Sequence, residues 1–431
     1  MKSKSLFPIL MTFFLLSLAG CSSVVTPIPA TSTLSIVPPT LMVIPSATPI
    51  PPTETPTPLP PSPTSPPSNP IQHFPTGQEF SVTSIQMLNA NQGWAIGGLN
   101  DPGDHVLRTA DGGSTWTDLT PPEEVAPEGD RKSVTGYFQD TQTAWVIFSN
   151  TSGITPPQSV VWRTQDGGTS WQTSQPLDIS SLSEFYNPSY LQFVDGQTGW
   201  LFVHVGVGMS HDYFVLYRSG DGGLTWDRLL DPYNDSSGIM SCYKSGMQFT
   251  DATRGWMTGD CHGVAAGVWL FLSSDGGTTW ERVTLPDPIN APGLFSDMLA
   301  ACGSYDPYFF SNDLGHLGVN CVNYSQDPPT NQYYVFTTQD GGSTWTSSTY
   351  PGKSLYFYSA DIGWALAEKI HRTTDGGLTW KPISNVSWSA QVDFVSEQLG
   401  WVVARNLEQI ALVKTSDGGG KWTMLVPRVG Q

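Results

Sequence analysis

Positive charge is scarce in this chain of 431 residues: 19 Lys and Arg stand against 37 Asp and Glu, a formal net charge of −18 at pH 7. So acidic a chain repels phosphate backbones, which excludes nucleic acid as an expected partner. Long apolar runs are missing too. The one stretch that approaches membrane length, Leu6 to Leu18, falls short of the ~20 residues that a spanning helix needs. Cysteine is rare, with five in all, and the four beyond the N-terminal segment lack the spacing of a tetrahedral metal site. There is no phosphate-binding glycine loop and no nucleophile–base motif. No cofactor, metal or catalytic residue is expected.

What is present begins with an export pattern. Lys2 and Lys4 precede the apolar stretch, which ends at Leu18-Ala19-Gly20-Cys21. Small residues before a cysteine resemble the lipobox of bacterial lipoproteins. That resemblance implies a signal peptide over 1–20, cleavage before Cys21, lipidation of Cys21 and an extracytoplasmic protein anchored to a membrane. Loss of the two lysines takes the charge from −18 to −20. Residues 21–76 are dominated by Pro, Thr and Ser, as in "PSATPIPPTETPTPLPPSPTSPPSNP". Such a segment has too little apolar surface to bury and favours extended polyproline, so a disordered stalk is expected. At ~3.1 Å per residue it reaches up to roughly 150 Å.

Residues 77–431 are one compositional unit built on two recurring signatures. The first is "DGGxTW", with aspartates at Asp111, Asp166, Asp221, Asp275, Asp340, Asp375 and Asp417. The second precedes it as "GW" or "AW", at Trp94, Trp145, Trp200, Trp256, Trp364 and Trp401; the fifth unit carries His316 there instead. Together the two positions use thirteen of the sixteen tryptophans. Seven units of about 51 residues suit four short strands each. The expected fold is all-β: a seven-bladed β-propeller of four-stranded antiparallel blades behind the stalk. In the first unit "SVTSIQML", "WAIGG", "HVLRTA" and "WTDL" read as its four strands.

The box [Ser/Thr]-x-Asp-Gly-Gly-x-[Thr/Ser]-Trp resembles the Asp-box of sialidases, sortilin-type receptors and related propellers. Its aspartate can accept hydrogen bonds within its own turn, its glycines permit positive φ, and its tryptophan buries a large surface. Seven copies around a ring cannot converge on one substrate, so a structural role is expected for all seven aspartates. The seventh box, "SDGGGKW", lacks the hydroxyl before tryptophan and is expected to lose a hydrogen bond. The cysteines obey the same register. Cys242 and Cys302 lie 14 residues before Trp256 and His316, and Cys261 and Cys321 lie 5 after them. Each pair flanks a hairpin turn across an antiparallel ladder, which predicts the disulfides Cys242–Cys261 and Cys302–Cys321.

For function, one face of the disk carries the second-to-third loops and the blade connections, long in units two to five and short in six and seven. His211, Tyr213, His262, Tyr324 and Tyr333 on these loops are candidate contacts. Three residues before the box aspartates, Arg372, Lys414, Arg108, Arg163 and Arg218 form a basic arc over five adjacent blades, interrupted by Leu272 and Thr337. Stacking on box tryptophans or carboxylate pairing is one account of the arc; partner binding is the other. The alternation of "GW" strands with "DGGxTW" turns resembles the photosystem II stability/assembly factor family. That resemblance covers nearly all of 80–425 and implies a non-enzymatic binding or assembly scaffold for a membrane or extracytoplasmic protein, with an arginine-rich contact surface. The stalk, the lipobox and the low basic content depart from the photosynthetic pattern. The alternative is a glycoside hydrolase of the sialidase or xyloglucanase kind. Sialidases need an arginine triad that is not seen here, and xyloglucan hydrolases resemble two facing propellers where this chain has one.

Overall fold

The computed structural model describes residues 68–430, apart from 183–184, 209–210, 234, 236–237, 262–266, 326, 407–408 and the side chain at 389. The expected leader, Cys21, the stalk to residue 67, and His262 lie outside the described residues.

The chain forms seven blades, each an antiparallel sheet in which neighbouring strands are consecutive in sequence. Blade one comprises Ser81–Met87, Gly93–Gly98, His105–Thr109 and the two-residue outer strand Thr117–Asp118. First strands of adjacent blades touch one another and line the axis. Blades four and five are additionally joined by one bridge, Asp260 to Gly303. The second strands are the most buried elements; in blade one every residue of "GWAIGG" is buried. The glycine before the tryptophan is forced by packing. A β-carbon at Gly199, Gly255 or Gly400 would meet the ring of Phe193, Phe249 or Phe394 at 2.5 Å or less.

The core lies between blades. In six of the seven junctions the second-strand ring packs on the aromatic that ends the first strand of the next blade, most closely Trp145 on Phe193, Trp200 on Phe249 and Trp364 on Phe394, all at 3.7 Å; at the closure Trp401 shares its cluster with Met87 instead. The box tryptophan of that next blade packs edge-on against the same phenylalanine, as Trp226 does on Phe193 and Trp280 on Phe249. Burying aromatics of this size is the dominant favourable term available to so thin a sheet stack.

Both predicted disulfides are present, with Cα–Cα separations of 4.5 Å for Cys242–Cys261 and 4.1 Å for Cys302–Cys321. Cys302 and Cys321 are direct cross-strand partners. The ring closes without a borrowed strand. Trp401 of blade seven donates its indole N–H to Gly112 O of blade one at 3.0 Å, and the tail at 427–430 lies between residues 77–80 and Trp116.

One expectation is corrected. The disordered linker was expected to run to residue 76, but residues 69–74 pack on blade one. Ile71 N–H donates to Glu123 O at 2.8 Å, Ile71 is buried, and Phe74 stacks on His105 at 3.8 Å. The segment follows directly on the proline-rich stalk in sequence, and the residues that bury it, Val125 for Ile71 and Phe80 and His105 for Phe74, lie elsewhere along the chain.

Candidate functional site: blade junctions and an axial channel

The seven boxes are saturated turns. Asp111 accepts from the Thr109 hydroxyl at 2.9 Å, the Thr115 amide at 2.9 Å and the Thr115 hydroxyl at 2.7 Å. Six boxes share this hydroxyl contact. In the seventh, Asp417 takes the Lys421 amide and the Thr415 hydroxyl, each at 2.9 Å, but position 421 offers no hydroxyl. The Ser170 hydroxyl and then its amide hold the Asp166 carboxyl below its usual range, and Thr344 does the same for Asp340. Both box glycines have positive φ, for example 75° and 91° at Gly112 and Gly113. The first glycine's N–H reaches the first-to-second turn of its own blade, as from Gly112 to Asn91 O at 2.8 Å, which sets both turns on one face. Its carbonyl is the acceptor for the preceding blade: Trp145 donates to Gly222 O and Trp200 to Gly276 O, each at 2.8 Å.

The basic arc sits in these junctions. Arg108, Arg163, Arg218, Arg372 and Lys414 lie 4.8–5.8 Å over the rings of Trp94, Trp145, Trp200, Trp364 and Trp401. The expected stacking is therefore on second-strand tryptophans rather than box tryptophans. Arg108 also donates to Gly167 O at 2.8 Å, and Arg372 pairs with Glu397 at 3.0 Å. Arg163 is only 8% exposed. Blade four completes the set by another route: Arg254, two residues before Trp256, stacks on it at 5.6 Å and donates to Gly341 O. Sequence reasoning passed over Arg254 because it lies in a turn rather than on a third strand. In blade five the Trp–Arg couple is replaced as a unit. His316 Nε2 bonds Ala360 O at 2.7 Å and its Nδ1 pairs with the Thr337 hydroxyl at 2.9 Å. Burial pulls the His316 pKa down, which keeps the ring neutral.

At the axis, the penultimate residues of the seven first strands form a belt: Gln86, Tyr137, Gln192, Gln248, Tyr308, Tyr356 and Asp393. Six of them reach the next blade's inner strand or the segment beside it. Gln192 makes two 2.8 Å bonds to Phe249, Tyr308 donates to Leu355 O at 2.7 Å, and Asp393 accepts the Met87 N–H across the closure at 2.5 Å. Tyr137 instead packs against Phe193.

Two residues above the belt, a bulge leaves Tyr305 and Asp306 without cross-strand partners, the usual device for re-aiming a side chain. Asp306 is exposed to solvent, although many protein atoms crowd around it. A β-carbon at Gly246 of blade four would lie 2.4 Å from its Oδ1. Burial alone raises its pKa to about 6. The other nearby acids are engaged: Asp212 binds His204 Nδ1 at 2.7 Å and the Lys244 amide at 2.9 Å. Lys244 is itself caged, its ammonium donating to Asp212, Ser241 and Cys242 carbonyls.

On the loop-rich face a cleft of about 690 Å³ marks the step between the long loop of blade five and the short one of blade six. Tyr333, Tyr350, Trp388, Lys353 and Glu368 are among its lining residues. Of the expected loop contacts, Tyr333 lines this cleft, Tyr324 is exposed, and His211 and Tyr213 stack on each other in the blade-three hairpin.

Comparison with known proteins agrees with this geometry. A BNR repeat-like domain family matches residues 160–360. The chain is thus similar to BNR-repeat propellers of the photosystem II assembly factor-like kind. It is 26% identical over 271 residues to the photosystem II assembly lipoprotein Ycf48 of Synechococcus sp. (strain CC9902), covering 58% of this chain and 64% of that one. It is 25% identical over 258 residues to a xyloglucanase of Paenibacillus sp., covering 56% of this chain and 23% of the enzyme. The chain thus spans less than two thirds of either relative. The solved structure of YCF48 bound to D1 peptide superposes with a TM-score of 0.50 at 15% identity, over 80% of this propeller's chain and 95% of the other. At that identity the likeness speaks to the fold alone.

Proposed function

We propose that this BNR-repeat propeller is a membrane-tethered, extracytoplasmic scaffold that binds and assembles a protein partner and has no catalytic activity of its own. The observation that carries this reading is the isolation of Asp306. Glycoside hydrolysis uses two carboxyl groups flanking the scissile bond. Here the neighbouring Asp212 is committed to His204 and Lys244, and Asp393 to the Met87 amide. The likeness to an assembly lipoprotein supports the same reading, and lipidation of Cys21 supplies the tether to the bilayer. The partner is a membrane or extracytoplasmic protein. It meets the loop-rich face or the rim of the basic arc, where Arg108, Arg218, Arg372 and Lys414 keep partial exposure.

The test is cross-linking of the full chain in its own membranes followed by mass spectrometry. One recurrent protein partner is expected, and the Cys21→Ser chain is expected in the soluble fraction. Turnover of xyloglucan or sialosides by the purified full chain, lost in Asp306→Asn, overturns the non-enzymatic reading.

A further inference from the structure

The cleft between blades five and six exists because two neighbouring hairpins differ in length. Strands Gly315–Asn323 and Thr330–Thr338 of blade five run nine residues each, whereas Gly363–Leu366 and Ile370–Thr373 of blade six run four each. The face of blade five that packs on blade six through Val335, Leu355 and Ala365 therefore continues toward the loop-rich side past the end of its neighbour. Side chains alternate along a strand, so this face carries Tyr333 and Asn331 beyond Val335, with Asn320 the cross-strand partner of Tyr333.

Rings and amides line the space. Tyr333 rests against Tyr350 at 5.6 Å, and Trp388, from the connection into blade seven, is braced edge-on by Trp422 at 5.5 Å. Tyr333 and Trp388 are half-buried, so each is fixed by packing and keeps surface open. Asn290, Asn331 and Gln332 are exposed lining residues. The charged lining residues are one lysine and one acid, Lys353 and Glu368, which leaves the cleft neutral on a chain of net charge −18. Two atoms beside it, the Tyr350 hydroxyl and Asn320 Oδ1, are buried with no hydrogen-bond partner among the described residues. Tyr350 itself is only 5% exposed. Orphaned polar atoms of this kind are rare in a native fold and mark a place that water or a ligand completes.

The lining matches one ligand chemistry. A sugar presents C–H faces, which suit aromatic rings, and a rim of hydroxyls, which suit side chains that both donate and accept. A volume near 690 Å³ is of small-ligand size. A peptide anchor needs a desolvated apolar socket; apart from the rings, the apolar lining is Pro351, Leu366 and Ala367, and Leu366 is buried. We propose that this cleft binds an uncharged oligosaccharide, with its ring faces on Tyr333 and Trp388 and its hydroxyl or acetamido groups on the flanking amides. The cleft binds without cleaving, since Glu368 is the one carboxyl group among its lining residues and glycoside hydrolysis uses two. This inference goes beyond the scaffold reading and stands separately from it, because a protein partner can occupy the rest of the loop-rich face.

Calorimetric titration of the full chain with cellotetraose, chitotetraose, trigalacturonate and an N-acetylated hexaproline amide tests the assignment. Saturable binding is expected for one or both neutral sugars, with none for trigalacturonate or the peptide. Preference for chitotetraose assigns the natural source to an acetamido sugar polymer, and preference for cellotetraose to a plain hexose polymer. Tyr333→Ala and Trp388→Ala, each checked for an intact melting transition, are expected to weaken binding by about tenfold or more, and Asn331→Ala severalfold. If Trp388→Ala melts lower, Tyr333→Ala and Asn331→Ala decide. Tyr213→Ala, in the blade-three hairpin, leaves affinity unchanged. Absence of saturable binding by both neutral sugars, equal affinity for trigalacturonate, binding of the peptide in their place, or unchanged affinity in Tyr333→Ala overturns the assignment.

Discussion

At the scale of the residue, Asp306 links stability to pH in a definite direction. Its folded pKa of about 6 lies above the ordinary aspartate value of 3.8. Between those values the folded chain holds more protons than the unfolded one, so this group stabilises at low pH and its contribution is lost as pH rises through 6. Asp306→Asn is therefore expected to melt higher than the parent at pH 7 and level with it near pH 4, measured by scanning calorimetry at both. The junction tryptophans give a second test. Trp364→Phe keeps the stack on Phe394 but removes the donor to Gly418 O at 2.8 Å. A loss of ~0.5–1.5 kcal/mol in denaturant unfolding is expected. His316 could be read in the sequence as a departure from the repeat. Its pairing with Thr337 could not, because the two are separated by 21 positions and are joined only by the ladder.

At the scale of the element, the box explains its own recurrence. Asp, two glycines and tryptophan satisfy one turn, hold the neighbouring turn through the first glycine's N–H, and offer that glycine's carbonyl to the preceding blade. The seven boxes are not equivalent. Asp221 accepts from the Thr225 hydroxyl at 2.6 Å as well as from its amide, whereas Asp417 has no such hydroxyl. Asp221→Ala is expected to cost of the order of 1–2 kcal/mol after discounting for exposure, and Asp417→Ala less; equal losses in urea titration would contradict this account. The two disulfides each close a 19-residue separation. Replacing either pair by alanines is expected to remove ~3 kcal/mol, again read from urea unfolding. The disulfides were legible because the cysteines keep the repeat's register. Arg254 was not, since a turn residue and a third-strand residue meet the same tryptophan by different routes.

At the scale of the whole molecule, blades that each supply their own four strands must be joined by something other than a shared strand. Gln391 bonds Ile85 N–H at 3.0 Å, Trp401 latches onto Gly112, and Val429 is buried beside Trp116. Val429→Asp places a charge in that seam, and a markedly lower melting temperature is expected, with intact blades five and six retaining their aromatic circular dichroism longest on heating. The sequence by itself determined the number of blades, the strand order within them, the turn chemistry and the disulfides, because each of these repeats at a fixed interval and is satisfied locally. Tertiary structure alone decided what the basic arc stacks on, that residues 69–74 belong to the folded domain, and that Asp306 on a bulged first strand meets no hydrogen-bond partner among the described residues. Those facts depend on which side chains from different blades meet around an axis, and no periodicity along a single chain encodes that meeting.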